Sequence, residues 1–279
     1  MGDSLEAAIV SFTTGLLFVS VIALFRKDVR SGFRQIFSAV NLRLLPSWRL
    51  GAGALGASFV AMQTYAVPIA GVALFTVASL AGQTGISLWV DHVGLAGGSR
   101  VIITKQRVIA AIITILAVVV STWDRFTISN FSVLTIVLAV FSGTWVGVQR
   151  ALNGQINSYS KASFATSLLN FITGTTFLLF LLLLRTLFTD HSVMNFTSGP
   201  WWMFLGGSIG VIYIALSAHI VQHVGVLEFT LFSVGGMLIG SLLIDIIVPT
   251  KGTIISGFLI AGILLTYLGV IANGQSRFS

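Results

Sequence analysis

Residues 167–184 and 253–272 are uncharged, predominantly apolar stretches, close to the ~20 residues that an α-helix needs to cross a hydrocarbon layer of ~30 Å. Backbone groups left unpaired in lipid cost several kcal/mol each, so only helices or closed barrels span it. A barrel strand would run for about 10 residues with apolar and polar positions alternating. These stretches are longer and do not alternate. The rest of the chain agrees: 56% of its 279 residues are hydrophobic, 8% are charged, and mean hydropathy is +1.00. An ordinary soluble domain is about 25% charged. There is too little charge here to cover a water-facing surface, so lipid must cover most of it. The expected class is an all-α membrane protein. Cysteine is absent, which excludes disulfides and thiolate metal sites. The first apolar stretch follows Asp3 and Glu6 and precedes Arg26 and Lys27, the reverse of a signal peptide's basic start, and reads as a retained span.

The polar breaks predict about nine spans, near residues 5–25, 50–69, 72–90, 108–123, 131–149, 164–184, 201–223, 227–248 and 253–272. The loops then alternate between two sides. One side holds Arg26, Lys27, Arg30, Arg34, Arg43, Arg49, Arg100, Lys105, Arg107, Arg150, Lys161 and Arg277; the other holds Arg125, Arg185 and Lys251. The richer side is expected to be cytoplasmic, which puts the C-terminus inside and the acidic N-terminus outside. The net charge of +7 then belongs to cytoplasmic loops and calls for no nucleic-acid partner. Within the basic segment at about 26–49, Phe33, Ile36, Phe37 and Val40 follow helical spacing with Arg30, Arg34 and Arg43 between them. Such a segment is either an interfacial helix or a solvated basic loop.

The chain also matches itself at a shift of about 154 residues, with about a third of paired positions identical. Pro46, Trp48, Gly53, Gly56 and Gly71 fall on Pro200, Trp202, Gly207, Gly210 and Gly225. Phe75, Thr76, Ser79, Gly82, Ser87, Leu88 and Asp91 fall on Phe229, Thr230, Ser233, Gly236, Ser241, Leu242 and Asp245. At a slightly larger shift Phe12, Thr14 and Gly15 match Phe171, Thr173 and Gly174, so the first span pairs with the sixth. By the charge count these two spans run in opposite senses. The expected architecture is therefore a helical bundle of two inverted five-helix repeats. Residues 1–125 form the first, with four spans and the basic segment, and 126–279 the second, with five. Inverted repeats are how secondary transporters build a site near the bilayer midplane. The fifth span, which carries Trp145 and Gln149, has no partner in the first half, so the first helix of repeat one is expected to be missing.

Gln149, Asn153, Asn170, Phe171 and Gly174, together with Gly82, Gln83, Asp91, His92, Gly94 and Gly97, give the chain its likeness to a known group. It resembles the YdcZ-type branch of the drug/metabolite transporter (DMT) superfamily over nearly its whole length. The resemblance implies about ten spans in two five-helix halves and an exporter of the bacterial inner membrane. The second half departs from the first in having Met237 opposite Gln83 and Ile246 opposite His92.

Several polar side chains within or at the ends of spans are candidates for substrate binding or coupling, since ionisable groups in lipid are costly and tend to be functional. Glu228 opens the eighth span where the other repeat has Leu74; it suits a coupling proton or cationic substrate, or an acidic residue favouring a helix N-terminus. Asp91 closes a helix, where its charge opposes the dipole; His92 or Arg100 would compensate it structurally, and the other reading is gating or proton transfer. Gln83, Gln149, Asn153 and Asn170 suit a substrate's polar groups or a neighbouring helix. Trp145 and Tyr213 would line a pocket or pack. Gly143 with Gly147, Gly206 with Gly210 and Gly236 with Gly240 are expected to allow close helix approach. His219 and His223 have metal-ligand spacing but no accompanying carboxylate, so no metal is expected. No HExxH, GxSxG or phosphate loop is present, which speaks against an enzyme and against nucleotide-driven transport. The expected protein is a multi-pass secondary exporter of a small molecule by alternating access, without cofactor, driven by a proton gradient or the substrate's own gradient. The competing expectation is a non-transporting membrane subunit or a truncated, inactive relative.

Overall fold

The computed structural model of the chain describes residues 4–70, 72–98, 100–121, 123, 133–188, 201–247 and 257–274. They form helices α1 (Ser4–Phe25), α2 (Lys27–Asn41), α3 (Ala52–Ala70), α4 (Val72–Val93), α5 (Lys105–Ser121), α6 (Val133–Ser160), α7 (Ser163–Phe188), α8 (Leu205–Val224), α9 (Val226–Ile247) and α10 (Gly257–Gly274). Among the described residues five helical segments are long and apolar enough to cross a membrane: α1, Ser47–Ile69, α6, α7 and α8. The expected nine spans are thus reached only in part. α5 is 17 residues long, α4 is diluted by Gln83, Thr84, Ser87, Asp91 and His92, and α9 and α10 contribute the shorter apolar stretches Val226–Gly240 and Ile260–Ala272. Arg125, Lys251, Arg277 and the boundary at 125 lie outside the described residues.

The chain divides into two compact units. Unit one comprises Met1–Tyr65, Leu95–Gly98 and Val148–His223; unit two comprises Ala66–Gly94, Ser99–Gly147 and Val224–Ser279.

In unit one, Ala8, Ile9, Phe12, Val19, Ala57, Phe171, Leu178 and Val211 form a core shared by α1, α3, α7 and α8. The Phe12 and Phe171 rings lie 5.2 Å apart. A Cβ on Gly15 would strike the Phe171 ring, and one on Gly174 would strike the Phe12 ring. Position 12 thus meets 174 while 15 meets 171, so α1 and α7 run antiparallel. Gly53 likewise lies on the Asn170 carbonyl and Thr173 hydroxyl, and Gly207 on the Ser11 carbonyl and Thr14 hydroxyl. Lipid offers little hydrophobic drive between helices, so glycines that let backbones touch are a main source of attraction, aided by Cα–H···O contacts of about 0.5–1 kcal/mol each.

The basic segment is a helix in its first part. Val29, Ile36 and Ala39 of α2 are buried, Phe33 and Val40 are half-buried, and Phe37 is 43% exposed. The apolar stripe is therefore centred nearer Val29 and Gly32 than the expected Phe33–Phe37 line. It is covered by protein: Gly32 lies against Ala162, Ala165 and the Ser160 carbonyl.

In unit two, α5 and α10 pack through Gly262 against the Ala117 carbonyl and Gly269 against the Ala110 carbonyl. Rising numbers in one helix again meet falling numbers in the other, so this pair is antiparallel. α4 and α9 are antiparallel by the same logic, since the Ser87 and Thr230 hydroxyls are 3.3 Å apart and Asp91 meets Val226. α4 also touches α6 where Gly143 lies on the Ser79 backbone, Gly82 on the Val140 carbonyl, and Gly147 on Ile86. The close approach expected at Gly143 and Gly147 is present. Gly236 and Gly240 have no such neighbour among the described residues, and Gly206 only grazes Ser11. A small residue permits contact; it does not say which face of the helix a neighbour takes.

Candidate functional sites

Three amides meet in unit one. Asn170 of α7 accepts through Oδ1 from Gln149 Nε2 at 3.0 Å and from Asn153 Nδ2 at 3.1 Å. Gln149 and Asn153 are four residues apart, one turn of α6, so both reach the same neighbour. Asn170 is 2% exposed and Asn153 1%. The Gln149 amide fits because Gly56 of α3 has no side chain, as a Cβ there would overlap it. The cluster is incomplete: Asn170 Nδ2 and Asn153 Oδ1 are buried without a partner among the described residues. Each such atom costs about 1–3 kcal/mol. Together they provide one donor and one acceptor, uncharged, suited to a neutral polar group.

Next to Gln149, Arg150 is also buried. Its Nη2 donates to the Tyr213 hydroxyl at 2.7 Å, and its guanidinium lies 5.9 Å from the Tyr213 ring centre. Sequence reading ended this span at Gln149, whereas α6 continues to Ser160. Arg150 and Asn153 are therefore helix-interior residues rather than loop residues. Hydropathy reports exposure to lipid, and this part of α6 is covered by protein: Gly154 lies on Ala96 and Val221.

Unit two is organised around Asp91. Its carboxylate accepts from the backbone N–H of Val226 at 2.7 Å and of Leu227 at 3.0 Å, and from Arg107 Nη2 at 2.5 Å. Asp91 and Arg107 are both buried. The expected compensation thus exists, but Arg107 and the start of α9 supply it rather than His92 or Arg100. A helix N-terminus carries unpaired N–H groups and a partial positive charge, so a carboxylate there satisfies both. Gly225, at φ +92°, makes the approach possible: a Cβ would sit 3.0 Å from a carboxylate oxygen. Three helix ends, the C-terminal end of α4 and the N-terminal ends of α5 and α9, are held at one point.

The remaining candidates do not join these clusters within their units. Gln83 is buried, with Oε1 unpartnered among the described residues. Trp145 is half-buried and packs edge-on against Phe141 at 5.0 Å. Glu228 is half-buried in the first turn of α9. His223 Nδ1 donates to the His219 carbonyl at 2.8 Å, and the described residues include no group of three potential metal ligands. Arg107 and Arg150 were missed as site residues because sequence alone sorted them as loop charges. Arg150's position beside Gln149 was the one available signal.

A solved structure titled "Crystal structure of protein" is similar to this chain with a TM-score of 0.66 and 17% identity, covering 98% of this chain and 88% of its own. That likeness concerns the fold alone. No curated protein matches the sequence. The family model described as "Putative inner membrane exporter, YdcZ" matches residues 1–120 and 134–272. With membrane-length apolar helices on the same chain, the assignment is to transporters rather than enzymes: this multi-pass membrane protein belongs to the YdcZ family of the DMT superfamily.

Proposed function

We propose that the chain exports a small molecule by alternating access between two inverted repeats, 1–125 and 126–279. The reading rests chiefly on one observation: helices paired by the sequence repeat, α1 with α7 and α4 with α9, pack antiparallel, the first pair through reciprocal glycine contacts and the second where Ser87 meets Thr230 and Asp91 meets Val226. Two copies inserted in opposite senses would pack in this way. The nine-span threading places the C-terminus in the cytoplasm. It also puts the end of α4 and the starts of α5 and α9 on one side, as the Asp91 contacts require.

The substrate's polar group is proposed to meet Gln149, Asn153 and Asn170, whose spare donor and acceptor favour a neutral ligand over a fully charged one. Tyr213, Gln83 and Trp145 are secondary candidates. Glu228 is the candidate for proton coupling, and Asp91 holds helix ends that must shift if the site changes its exposure.

A thermal-shift screen of amino acids, sugars, nucleosides and lipophilic cations on purified protein, followed by vesicle flux of any stabilising compound, tests the reading. Flux that falls at least tenfold in Asn170→Leu, with thermal stability within a few degrees of the native chain, supports it. Flux unaffected by that substitution removes the amide site. A stoichiometric partner protein co-purifying with a chain that moves no compound would favour the non-transporting subunit. Efflux that survives collapse of the proton gradient equally in native protein and Glu228→Gln would remove proton coupling.

A further inference from the structure

The two flanks of α2 differ. On one flank the Gln35 amide, turned so that its nitrogen faces the carbonyls of Tyr159 at 3.1 Å and Ser160 at 3.0 Å, donates to both and fastens the helix to the turn between α6 and α7. On the other flank Lys27, Arg30 and Arg34 follow the i, i+3, i+7 spacing of a single stripe beside Phe37, and all are exposed. Arg30 is occupied by the carbonyls of Ala23 and Leu24 at the end of α1. Lys27 and Arg34 have no acidic partner among the described residues, and neither does Arg43 just beyond the helix.

The depth of this stripe is fixed at both ends of the segment. Phe25, the last residue of α1, is 83% exposed and directly precedes Arg26. Trp48 is exposed just before α3, with the Arg49 guanidinium 5.3 Å from its ring centre. An exposed apolar residue followed by cations, and a Trp–Arg pair at the next entry, mark the level of the lipid headgroups. α2 therefore lies at that level, with cations on its outward flank and the exposed side chains of Phe37, Leu42 and Leu44 beside them.

We infer that Lys27, Arg34 and Arg43 form a ledge along which anionic phospholipids bind, with their phosphates against the cations and the upper acyl chains against Phe37, Leu42 and Leu44. A zwitterionic lipid offers the same chains, but its own ammonium group is repelled by the ledge. The inference rests on α1 crossing the bilayer and not on transport.

Native mass spectrometry of the delipidated full-length chain, titrated with phosphatidylglycerol or phosphatidylcholine of identical chains, tests it. Each cation near a headgroup is expected to add about fivefold in affinity, so phosphatidylglycerol binds at least ~10-fold more tightly to the native chain. In K27Q/R34Q/R43Q the preference falls to near unity, whereas R100Q/K105Q retains it. Where the triple variant does not fold, Arg34→Gln alone decides the matter and lowers the preference several-fold. Equal binding of the two lipids by the native chain, or a preference that survives these substitutions, overturns the proposal. So does competition by soluble glycerol phosphate as effective as the lipid, which would assign the cations to a soluble phosphate.

Discussion

Asp91 carries its charge at the end of α4 where that helix's own dipole opposes it, yet it is buried. Its stability comes from two N–H groups of α9 and the Arg107 guanidinium. Removing one partner of a buried ion pair leaves the other uncompensated and costs about 3–5 kcal/mol. Asp91→Ala should therefore lower the thermal stability of detergent-purified protein strongly, and Arg107→Met nearly as much. The double variant should be much milder than the sum, because both charges are then gone; strictly additive losses would mean that the pair does not couple. Asp91 was legible as a helix-end charge in need of compensation but its partner was not, since Arg107 lies 16 residues beyond it across a turn and reads in sequence as one more loop cation. The amide cluster was half legible. Gln149 and Asn170 sit within apolar runs and stand out, whereas Asn153 follows a stretch whose polarity imitates a loop.

Between elements, glycine contacts carry the packing, and their reciprocity makes a sharp expectation. Gly15→Ala and Gly174→Ala each push a methyl group into a phenylalanine ring, and overpacking of this kind costs about 1–3 kcal/mol. The two losses of thermal stability should be alike. Phe171→Leu should relieve the first and Phe12→Leu the second, while the crossed combinations give no relief. Gly236→Ala, with nothing near its Cβ position among the described residues, should stay within ~0.5 kcal/mol of the native protein. The sequence repeat already singled out Gly15, Gly53, Gly174 and Gly207. It could not say that the matched residues pack against one another, because similarity records descent and contact depends on how the copies fold together. The same limit explains why Gly236 and Gly240 looked like a contact motif.

At the scale of the molecule, the compact units cut across the proposed repeats. Unit one draws α1 from the first repeat and α7 and α8 from the second, and unit two draws α4 and α5 from the first and α9 and α10 from the second. Under the proposed duplication in opposite senses, this pairing follows directly for α1 with α7 and α4 with α9, which run antiparallel. Long apolar runs made the membrane class readable from the residues alone. The paired units could not be read there, as they join segments more than 100 residues apart. The absence of cysteine makes the decisive measurement simple. Single cysteines at Ser31, after α1, and at Thr186, in the last turn of α7, can be labelled with a membrane-impermeant maleimide in vesicles of known orientation. Labelling of Ser31→Cys only from the cytoplasmic face and of Thr186→Cys only from the opposite face is the predicted result; labelling of both from one face would contradict the inverted arrangement.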